Sequence, residues 1–240
     1  MTTNPIVFLL DVDNTLLDND RFEQDLRRHL QEQLGVDRQA RYWEIFEELR
    51  AELGCADYLG SVQRLRVENM HEPRMLEVSS FLLEYPFADR LYPGALEVIA
   101  RLRGFGPVVI VSDGDAVFQP RKLERSGLFA AVEGGVLIYI HKDREIADIS
   151  ARYPAGHYVL VDDKLSILTA MKKAWGSRVT TVLPRQGHYA HDAKNAEKYA
   201  PADISIERIG DLIRYELPSV NEIRADETFT NVDLSQEGAS

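Results

Sequence analysis

Two acidic residues separated by a single residue, Asp11 and Asp13, are the strongest chemical feature of the chain. They directly follow an apolar run at residues 6–10, which is typical of a strand buried on both faces. The ligand-binding groups of open α/β sheets gather at the carboxyl ends of such strands. A carboxylate pair there can supply a nucleophile, a proton carrier or ligands for a hard cation. Taken alone, the segment could also be an Asx turn that closes a strand.

A calcium loop of the EF-hand type does not fit this segment. Counting from Asp11 places Leu16 where the loop requires glycine. The same count places Phe22 where the loop requires a bidentate glutamate. The acidic pair therefore needs another explanation.

Polar side chains also follow three later apolar runs, at residues 108–111, 136–140 and 158–161. In chain order these side chains are Ser112, Lys142 and the pair Asp162-Asp163. A parallel sheet would bring them to the same edge as Asp11. Taken singly, Ser112 could lie in an ordinary turn and Lys142 could be a solvated surface lysine. Adjacent carboxylates, however, repel each other unless a cation or a donor lies between them.

The elements that must position these residues alternate between strands and helices. The predicted strands are residues 6–10, 108–111, 136–140, 158–161 and 179–183, with a further edge strand at 202–206. Between them, helical patterns cover residues 94–103 and 164–175. This alternation predicts an α/β fold with a doubly wound parallel sheet.

The alternation stops between residues 18 and 90, where only helical patterns occur. Such a block is far longer than a βα loop of about 2–6 residues. We therefore expect a catalytic core formed by residues 1–17 and 91–218 and an inserted helical cap domain at 18–90. Residues 219–240 are polar and acidic, which predicts a disordered or loosely docked tail.

Composition limits the classes of partner. The chain has 28 basic and 39 acidic residues, a net charge of -11, so most of its surface would repel nucleic acid. Its one cysteine, Cys55, cannot form an internal disulfide, and no apolar run is suited to a signal peptide or a membrane span. We expect a cytoplasmic protein with neither nucleic acid nor membrane as a partner. The oligomeric state leaves no signal in the sequence.

In chain order, Asp11-x-Asp13-x-Thr15, Ser112, Lys142 and Asp162-Asp163 resemble the four motifs of the haloacid dehalogenase-like hydrolase superfamily. The resemblance extends over residues 6–185. The helical insertion is similar to that superfamily's cap of the first type, and Leu91-Tyr92-Pro93-Gly94 resembles the usual return to its Rossmann-like core.

The resemblance implies a role for each motif residue. Asp11 would attack phosphorus, while Asp13 would protonate the leaving oxygen and later activate water. Lys142 would offset negative charge. Thr15, Ser112 and Asp113 would contact the substrate. Mg²⁺ would be bound by Asp11, by the backbone carbonyl of Asp13 and by Asp162 or Asp163.

Two departures from the superfamily's pattern leave alternatives open. The motif lysine is commonly followed by proline, whereas Asp143 follows Lys142 here. Lys122 is therefore a second candidate for that role, although its amphipathic helical run at 120–128 favours a surface lysine. The fourth motif lacks the common Gly-Asp form, so either Asp162 or Asp163 could be the direct metal ligand.

The predicted activity is hydrolysis of a small phosphorylated metabolite through an aspartyl-phosphate. A dehalogenase would need neither Asp13 nor a metal. A phosphonatase would use a cap lysine, and residues 18–90 contain none. A phosphomutase shares the motifs and stays an alternative, as does a non-catalytic binding member of the fold. A signalling receiver domain would carry its acidic pair first in the chain rather than last.

The predicted cap would select the substrate. Its candidate residues are Arg21, Arg41, Arg64 and Arg66, together with Tyr42, Trp43 and Tyr58. For the three aromatic residues, packing in the cap core is the favoured interpretation. His188 could face the cleft, but its loop position favours the surface.

Overall fold

The computed structural model describes residues 4–215. Its centre is a sheet of six parallel strands in the order β3-β2-β1-β4-β5-β6. The strands are β1 (Asn4–Leu10), β2 (Val108–Asp113), β3 (Val136–Tyr139), β4 (Ala155–Val161), β5 (Val179–Pro184) and β6 (Ile204–Ile206). The predicted doubly wound α/β fold is confirmed, with strand ends shifted by up to three residues.

Eleven α-helices lie within the described residues. They are α1 (Asn19–Leu34), α2 (Val36–Leu53), α3 (Tyr58–Glu68), α4 (Met75–Glu84), α5 (Ala95–Arg103), α6 (Phe118–Ser126), α7 (Leu128–Ala131), α8 (Ile146–Arg152), α9 (Leu165–Trp175), α10 (Gly187–His191) and α11 (Ala193–Lys198). No helix in this part of the chain combines the length and apolarity that a membrane crossing requires.

Two apolar clusters cover the faces of the sheet, and the alternation of side chains along β1 assigns its residues to them. Phe8 and Leu10 belong to the larger cluster, which includes buried residues of α1–α6. Val7 and Leu9 belong to the second cluster, together with buried residues of α8 and α9. Strand β1 is thus buried on both faces, as its unbroken apolar sequence indicates.

Residues 19–90, referred to here as the helical insertion, contain α1–α4, a short 3₁₀ helix and no strand. Helix α1 begins where the Asp18 carboxylate accepts a hydrogen bond from the Arg21 N–H. The helix buries apolar residues at a spacing of four, namely Phe22, Leu26, Leu30 and Leu34. The chain leaves and re-enters the core side by side, since the Asp18 N–H donates to the Arg90 carbonyl. The division into domains at residues 18 and 90 stays a prediction, and the predicted tail at 219–240 lies outside the described residues.

Candidate active site

The parallel register places the predicted chemical residues at one edge of the sheet. Leu10 pairs with Val161, so Asp11 and Asp162 leave neighbouring strands at the same level. Ser112 and Asp113 end β2, and Ser112 pairs with Ile138 of β3. This edge, formed by the carboxyl ends of β1–β4, is called the catalytic edge below.

Asp11 is held from two sides. Its backbone N–H donates to the Val161 carbonyl, at 2.9 Å. Its Oδ2 accepts a hydrogen bond from the Thr15 hydroxyl at 3.2 Å, and that hydroxyl also accepts from the Asp163 N–H at 3.1 Å. The side chain is 7% exposed. Thr15 therefore acts on the carboxylate of Asp11 and on the loop after β4 together.

Lys142 follows β3 and lies between two carboxylates. Its Nζ lies 2.5 Å from Asp11 Oδ1 and 2.6 Å from Asp162 Oδ2. The backbone N–H of Lys142 donates to Asp113 Oδ1 at 2.7 Å. Burial alone would lower the pKa of this amine, but the surrounding carboxylates outweigh it and raise the pKa. Lys142 thus occupies the predicted place beside Asp11, although Asp143 rather than proline follows it.

Asp11, Asp162 and Asp163 offer carboxylate oxygens that lie within 4.8 Å of one another. Both oxygens of Asp163 are buried without a hydrogen-bond donor in the described residues. Burial and the neighbouring Asp162 raise the pKa of Asp163 well above its ordinary value. Three carboxylates outnumber the two nearby amines, those of Lys142 and Lys164, and leave an excess of negative charge that a divalent cation with oxygen ligands fits.

Asp162 and Asp163 differ in their partners. Asp162 accepts from the Lys164 N–H at 2.8 Å through Oδ1 and forms an ion pair with Lys142 through Oδ2. The geometry of that ion pair is not that of a hydrogen bond. Within residues 4–215, Asp163 has neither kind of partner and is the less satisfied of the two, so its carboxylate has both oxygens free for a metal ion.

The sequence interpretation of Lys122 as a surface residue is wrong. Lys122 lies on the buried face of α6, its side chain is 0% exposed, and its Nζ donates to Asp13 Oδ1 at 2.6 Å. The signal was present in the sequence, because Phe118 and Lys122 are four residues apart and lie on one face of a helix. Lys142 and Lys122 thus each contact a different aspartate of the first motif.

Ser112 is buried, and its hydroxyl accepts a hydrogen bond from Gln119 Nε2 at 2.9 Å. Asp113 accepts from the Lys142 backbone and also borders the cavity described next. Burial raises the pKa of Asp113. The structure therefore brings all the predicted motif residues to the catalytic edge or its rim.

A cavity of about 320 Å³ lies between the catalytic edge and the helical insertion, and we call it the substrate cavity. Asp13, Asp113 and Lys164 border it from the core. Its other walls combine charged and aromatic side chains from α1, α2 and α3, namely Glu23, Arg27, Trp43, Glu47, Arg50 and Tyr58. A volume of this size suits a small molecule.

The candidate arginines of the predicted cap lie away from the substrate cavity. Within the described residues, none of Arg21, Arg41, Arg64 and Arg66 borders the cavity. Arg41, for example, is ion-paired with Glu44, Glu48 and Glu68 on the outer surface. Arg27 and Arg50 border it instead, and sequence analysis missed them because a helical pattern does not show which polar face turns toward the core.

The aromatic residues and His188 behave largely as predicted. Tyr42, Trp43 and Tyr58 are buried, although Trp43 and Tyr58 also border the substrate cavity. The His188 ring is 57% exposed and its Nδ1 lies 2.6 Å from Asp20 Oδ1 at the rim. Lys164, which sequence analysis did not select, is enclosed near Asp11 and Asp163, and these carboxylates raise its pKa against the opposing effect of burial.

Comparison with known sequences identifies one family. The family model for haloacid dehalogenase-like hydrolases matches residues 7–174. This range contains all the motif residues and the entire helical insertion. No curated protein sequence matches the chain.

Solved structures resemble the chain over most of its length. A haloacid dehalogenase-like hydrolase from Burkholderia xenovorans LB400 is 59% identical, with a TM-score of 0.84, over 89% of this chain and 97% of that one. The HAD-hydrolase YfnB from Bacillus subtilis, solved with bound magnesium, is 20% identical, with a TM-score of 0.58, over 88% and 98%. L-2-haloacid dehalogenase from Xanthobacter autotrophicus is 15% identical, with a TM-score of 0.58, over 87% and 96%. The latter two likenesses concern the fold alone.

Proposed function

The chain belongs to the haloacid dehalogenase-like hydrolase family, and we propose that within this family it is a magnesium-dependent phosphatase of a small phosphorylated metabolite. The observation that carries the proposal is the buried group of Asp11, Asp162 and Asp163, with Asp163 unpartnered and Asp13 two residues from the nucleophile. A carbon-halogen hydrolase would need neither a cation at this place nor Asp13.

Mg²⁺ fits the donor set, because it prefers carboxylate oxygens and carboxylates are what the site offers. Asp11 and Asp163 would hold it through their side chains and Asp13 through its backbone carbonyl, and Asp162 would support it from beside Lys142. When bound, the cation would neutralise charge on the phosphoryl oxygens that otherwise repels a carboxylate nucleophile.

In the first step, a carboxylate oxygen of Asp11 forms a bond to phosphorus while the bond from phosphorus to the leaving oxygen breaks. Asp13 gives its proton to that oxygen, so the product departs as an alcohol. Lys142, 2.5 Å from Asp11 Oδ1, offsets negative charge as it develops. The Ser112 hydroxyl, buried at the end of β2, donates to a phosphoryl oxygen.

In the second step, water attacks the aspartyl-phosphate at phosphorus. Asp13, now ionised, removes a proton from the water, and the bond between phosphorus and Asp11 breaks to release inorganic phosphate. Both steps require Asp13 to reach the reacting oxygen from the substrate cavity, which its side chain borders. A phosphomutase would instead return the phosphoryl group to a bound intermediate, so free phosphate separates the two activities.

The substrate cavity limits the substrate class. Its volume of about 320 Å³ suits a small ester. Its walls contain two arginines and two glutamates, which suit a polar leaving group that carries hydroxyl, carboxylate or amine functions.

The test is release of inorganic phosphate from a panel of sugar phosphates, nucleotides and phosphoglycolate, with Mg²⁺ or with EDTA. Asp11→Asn removes the nucleophile, and the matched control Asp37→Asn removes the same charge from the exposed start of α2. We expect Mg²⁺-dependent release that is lost in Asp11→Asn and retained in Asp37→Asn. Release that survives Asp11→Asn, or that is absent with every ester, would contradict the proposal.

A further inference from the structure

Lys122 is a buried cation that the two proposed steps do not use. A lysine ammonium without solvent is costly unless it is paired and hydrogen-bonded. Lys122 has two polar partners, Asp13 Oδ1 at 2.6 Å and Asn19 Oδ1 at 3.0 Å. The burial of the Lys122 ammonium therefore depends on Asp13, the residue that we assign as acid and base.

Apolar rings fix the rest of the ammonium's surroundings. Its Nζ lies 5.5–5.8 Å from the ring centroids of Phe22, Phe87 and Phe118. Phe22 and Phe87 belong to the helical insertion, whereas Phe118 shares α6 with Lys122. The side chain is thus enclosed between the insertion and the core, and three aromatic rings surround its amine.

The contact divides the two oxygens of Asp13. Oδ1 accepts from Lys122, whereas Oδ2 has no hydrogen-bond donor among residues 4–215. The Asp13 side chain is 29% exposed and borders the substrate cavity. With Oδ1 anchored, Oδ2 is the oxygen left to exchange a proton with the leaving group or with water.

Asn19 extends the anchor into the helical insertion. Its Nδ2 donates to Glu23 Oε1 at 3.3 Å and to the Tyr58 hydroxyl at 3.4 Å, and that hydroxyl donates to Glu23 at 2.9 Å. Glu23 and Tyr58 both border the substrate cavity. A chain of hydrogen bonds therefore links the wall of the cavity to the amine that holds Asp13.

We propose that Lys122 is a positioning residue, which fixes Asp13 through Oδ1 so that Oδ2 serves as the proton-transferring oxygen. This inference rests on the proposed phosphatase function and adds to it a residue outside the four motifs. Loss of Lys122 leaves the nucleophile Asp11 and the carboxylates of Asp162 and Asp163 unchanged. The substitution should therefore affect proton transfer to the leaving group.

The experiment compares two esters of similar shape whose leaving groups differ in their need for a proton. The phenolate of 4-nitrophenyl phosphate departs readily without protonation, whereas that of phenyl phosphate gains more from a general acid. The measured quantity is the ratio of kcat/KM for the two esters, which does not depend on how much of a preparation is folded. The variants are Lys122→Met, which fills the aromatic pocket without charge, and Lys122→Gln, which keeps a donor.

The control Lys172→Met removes a lysine that is ion-paired with Asp203 at 2.8 Å, away from the catalytic edge. We expect Lys122→Met to lower kcat/KM for phenyl phosphate by about 10²-fold and to affect 4-nitrophenyl phosphate far less. Lys122→Gln should recover part of the loss, and Lys172→Met should keep the wild-type ratio. Combined with Asp13→Asn, Lys122→Met should cost nothing further, because it acts through Asp13.

An unchanged ratio in Lys122→Met, with both esters losing activity equally, would overturn this inference and leave the proposed function intact. An additive loss in the double variant would overturn it as well. A wild-type protein inactive toward every phosphate ester would overturn the proposed function and the inference together.

Discussion

The catalytic edge and the helical insertion's side of the substrate cavity use charge in opposite ways. At the edge, Lys142 is buried and its amine lies within 2.6 Å of two carboxylates. In the cavity wall, Arg27 is exposed and has no carboxylate partner within the described residues. Its guanidinium instead lies 3.7 Å from the centre of the Trp43 ring. The edge is thus organised for one fixed reaction, whereas the wall keeps a cation available for whatever enters.

The contrast has a structural cause. Adjacent parallel strands fix the positions of the edge residues through the register of their backbones. A shift of the register by one residue would displace these side chains from the edge. The wall residues extend from helices, whose sequence can change without altering the sheet. Edge substitutions should therefore alter chemistry and stability strongly, and wall substitutions should alter substrate binding mildly.

The largest effect is expected from Lys142→Met. Removal of one member of a buried charge group leaves Asp11 and Asp162 facing each other without compensation, which typically costs about 3–5 kcal/mol. Urea unfolding in EDTA should register this loss, and activity should fall by at least about 10³-fold. The exposed pair lost in Lys172→Met should cost no more than about 1 kcal/mol. Equal losses in the two variants would contradict the contrast.

Asp163→Asn should separate stability from metal binding. Without metal the variant should be more stable than the wild type, because it removes a buried carboxylate that has no donor. With Mg²⁺ the order should reverse, since the wild type gains stability by binding and the variant does not. Thermal unfolding with EDTA and with Mg²⁺ measures both. A variant that is less stable in EDTA and still stabilised by Mg²⁺ would show that Asp163 is not the metal ligand.

The free energy of unfolding in EDTA should also depend on pH, because the buried carboxylates of the site ionise as the pH rises. Burial raises the pKa of Asp162 to about 6 from its ordinary value of 3.8, against the opposing effect of Lys142. A raised pKa means that the folded state holds its proton more tightly than the unfolded state, so this contribution is complete below about pH 4 and is lost as the pH rises through about 6. The free energy of unfolding in EDTA should therefore fall over that interval, by on the order of 1 kcal/mol or more.

Added Mg²⁺ should remove this fall, because the cation stabilises the ionised carboxylates. Urea titrations between pH 4 and pH 7 provide the measurement, and Asp163→Asn supplies a variant with a smaller fall. A free energy of unfolding that rises with pH in EDTA would show that ionising the carboxylates of Asp11, Asp162 and Asp163 does not destabilise the folded protein.

The smallest effect is expected from Arg27→Ala. Because Arg27 has no carboxylate partner within the described residues, its loss leaves no unpaired charge, and the lost contact with the Trp43 ring should cost no more than about 1 kcal/mol. For an anionic substrate we expect KM to rise by roughly 3–10-fold with kcat nearly unchanged. The neighbouring Arg28, which is ion-paired with Asp25, provides the control Arg28→Ala. A large fall in kcat for Arg27→Ala would mean that the wall takes part in the chemistry.

Sequence reasoning located the catalytic edge because its residues follow recognisable strands. Asp11, Ser112 and Asp162 each end an apolar run, and parallel strands bring such ends together regardless of their distance along the chain. The same reasoning could not rank Asp162 against Asp163. That difference depends on the Lys142 amine, whose direction is a matter of three-dimensional packing.

The helical insertion was predictable as helices but not as a wall. Its apolar stripes identify the buried faces, whereas Arg27 and Arg41 look alike in sequence until the helices are packed. Lys122 was misjudged for a related reason. A lysine in an amphipathic helix is usually solvated, and the structure shows the contact with Asp13, 109 residues away along the chain, that compensates its burial.

The central claim is that Asp11 becomes phosphorylated during turnover. The most direct measurement is to quench the enzyme with acid during turnover, to reduce any acyl phosphate with borohydride, which converts a phosphorylated aspartate into homoserine and releases the phosphate, and to locate the homoserine by peptide mass spectrometry. The account predicts homoserine in place of Asp11 in the wild-type protein, and none in Asp11→Asn. Turnover without homoserine in the peptide that contains Asp11, or homoserine in place of another aspartate, would contradict it.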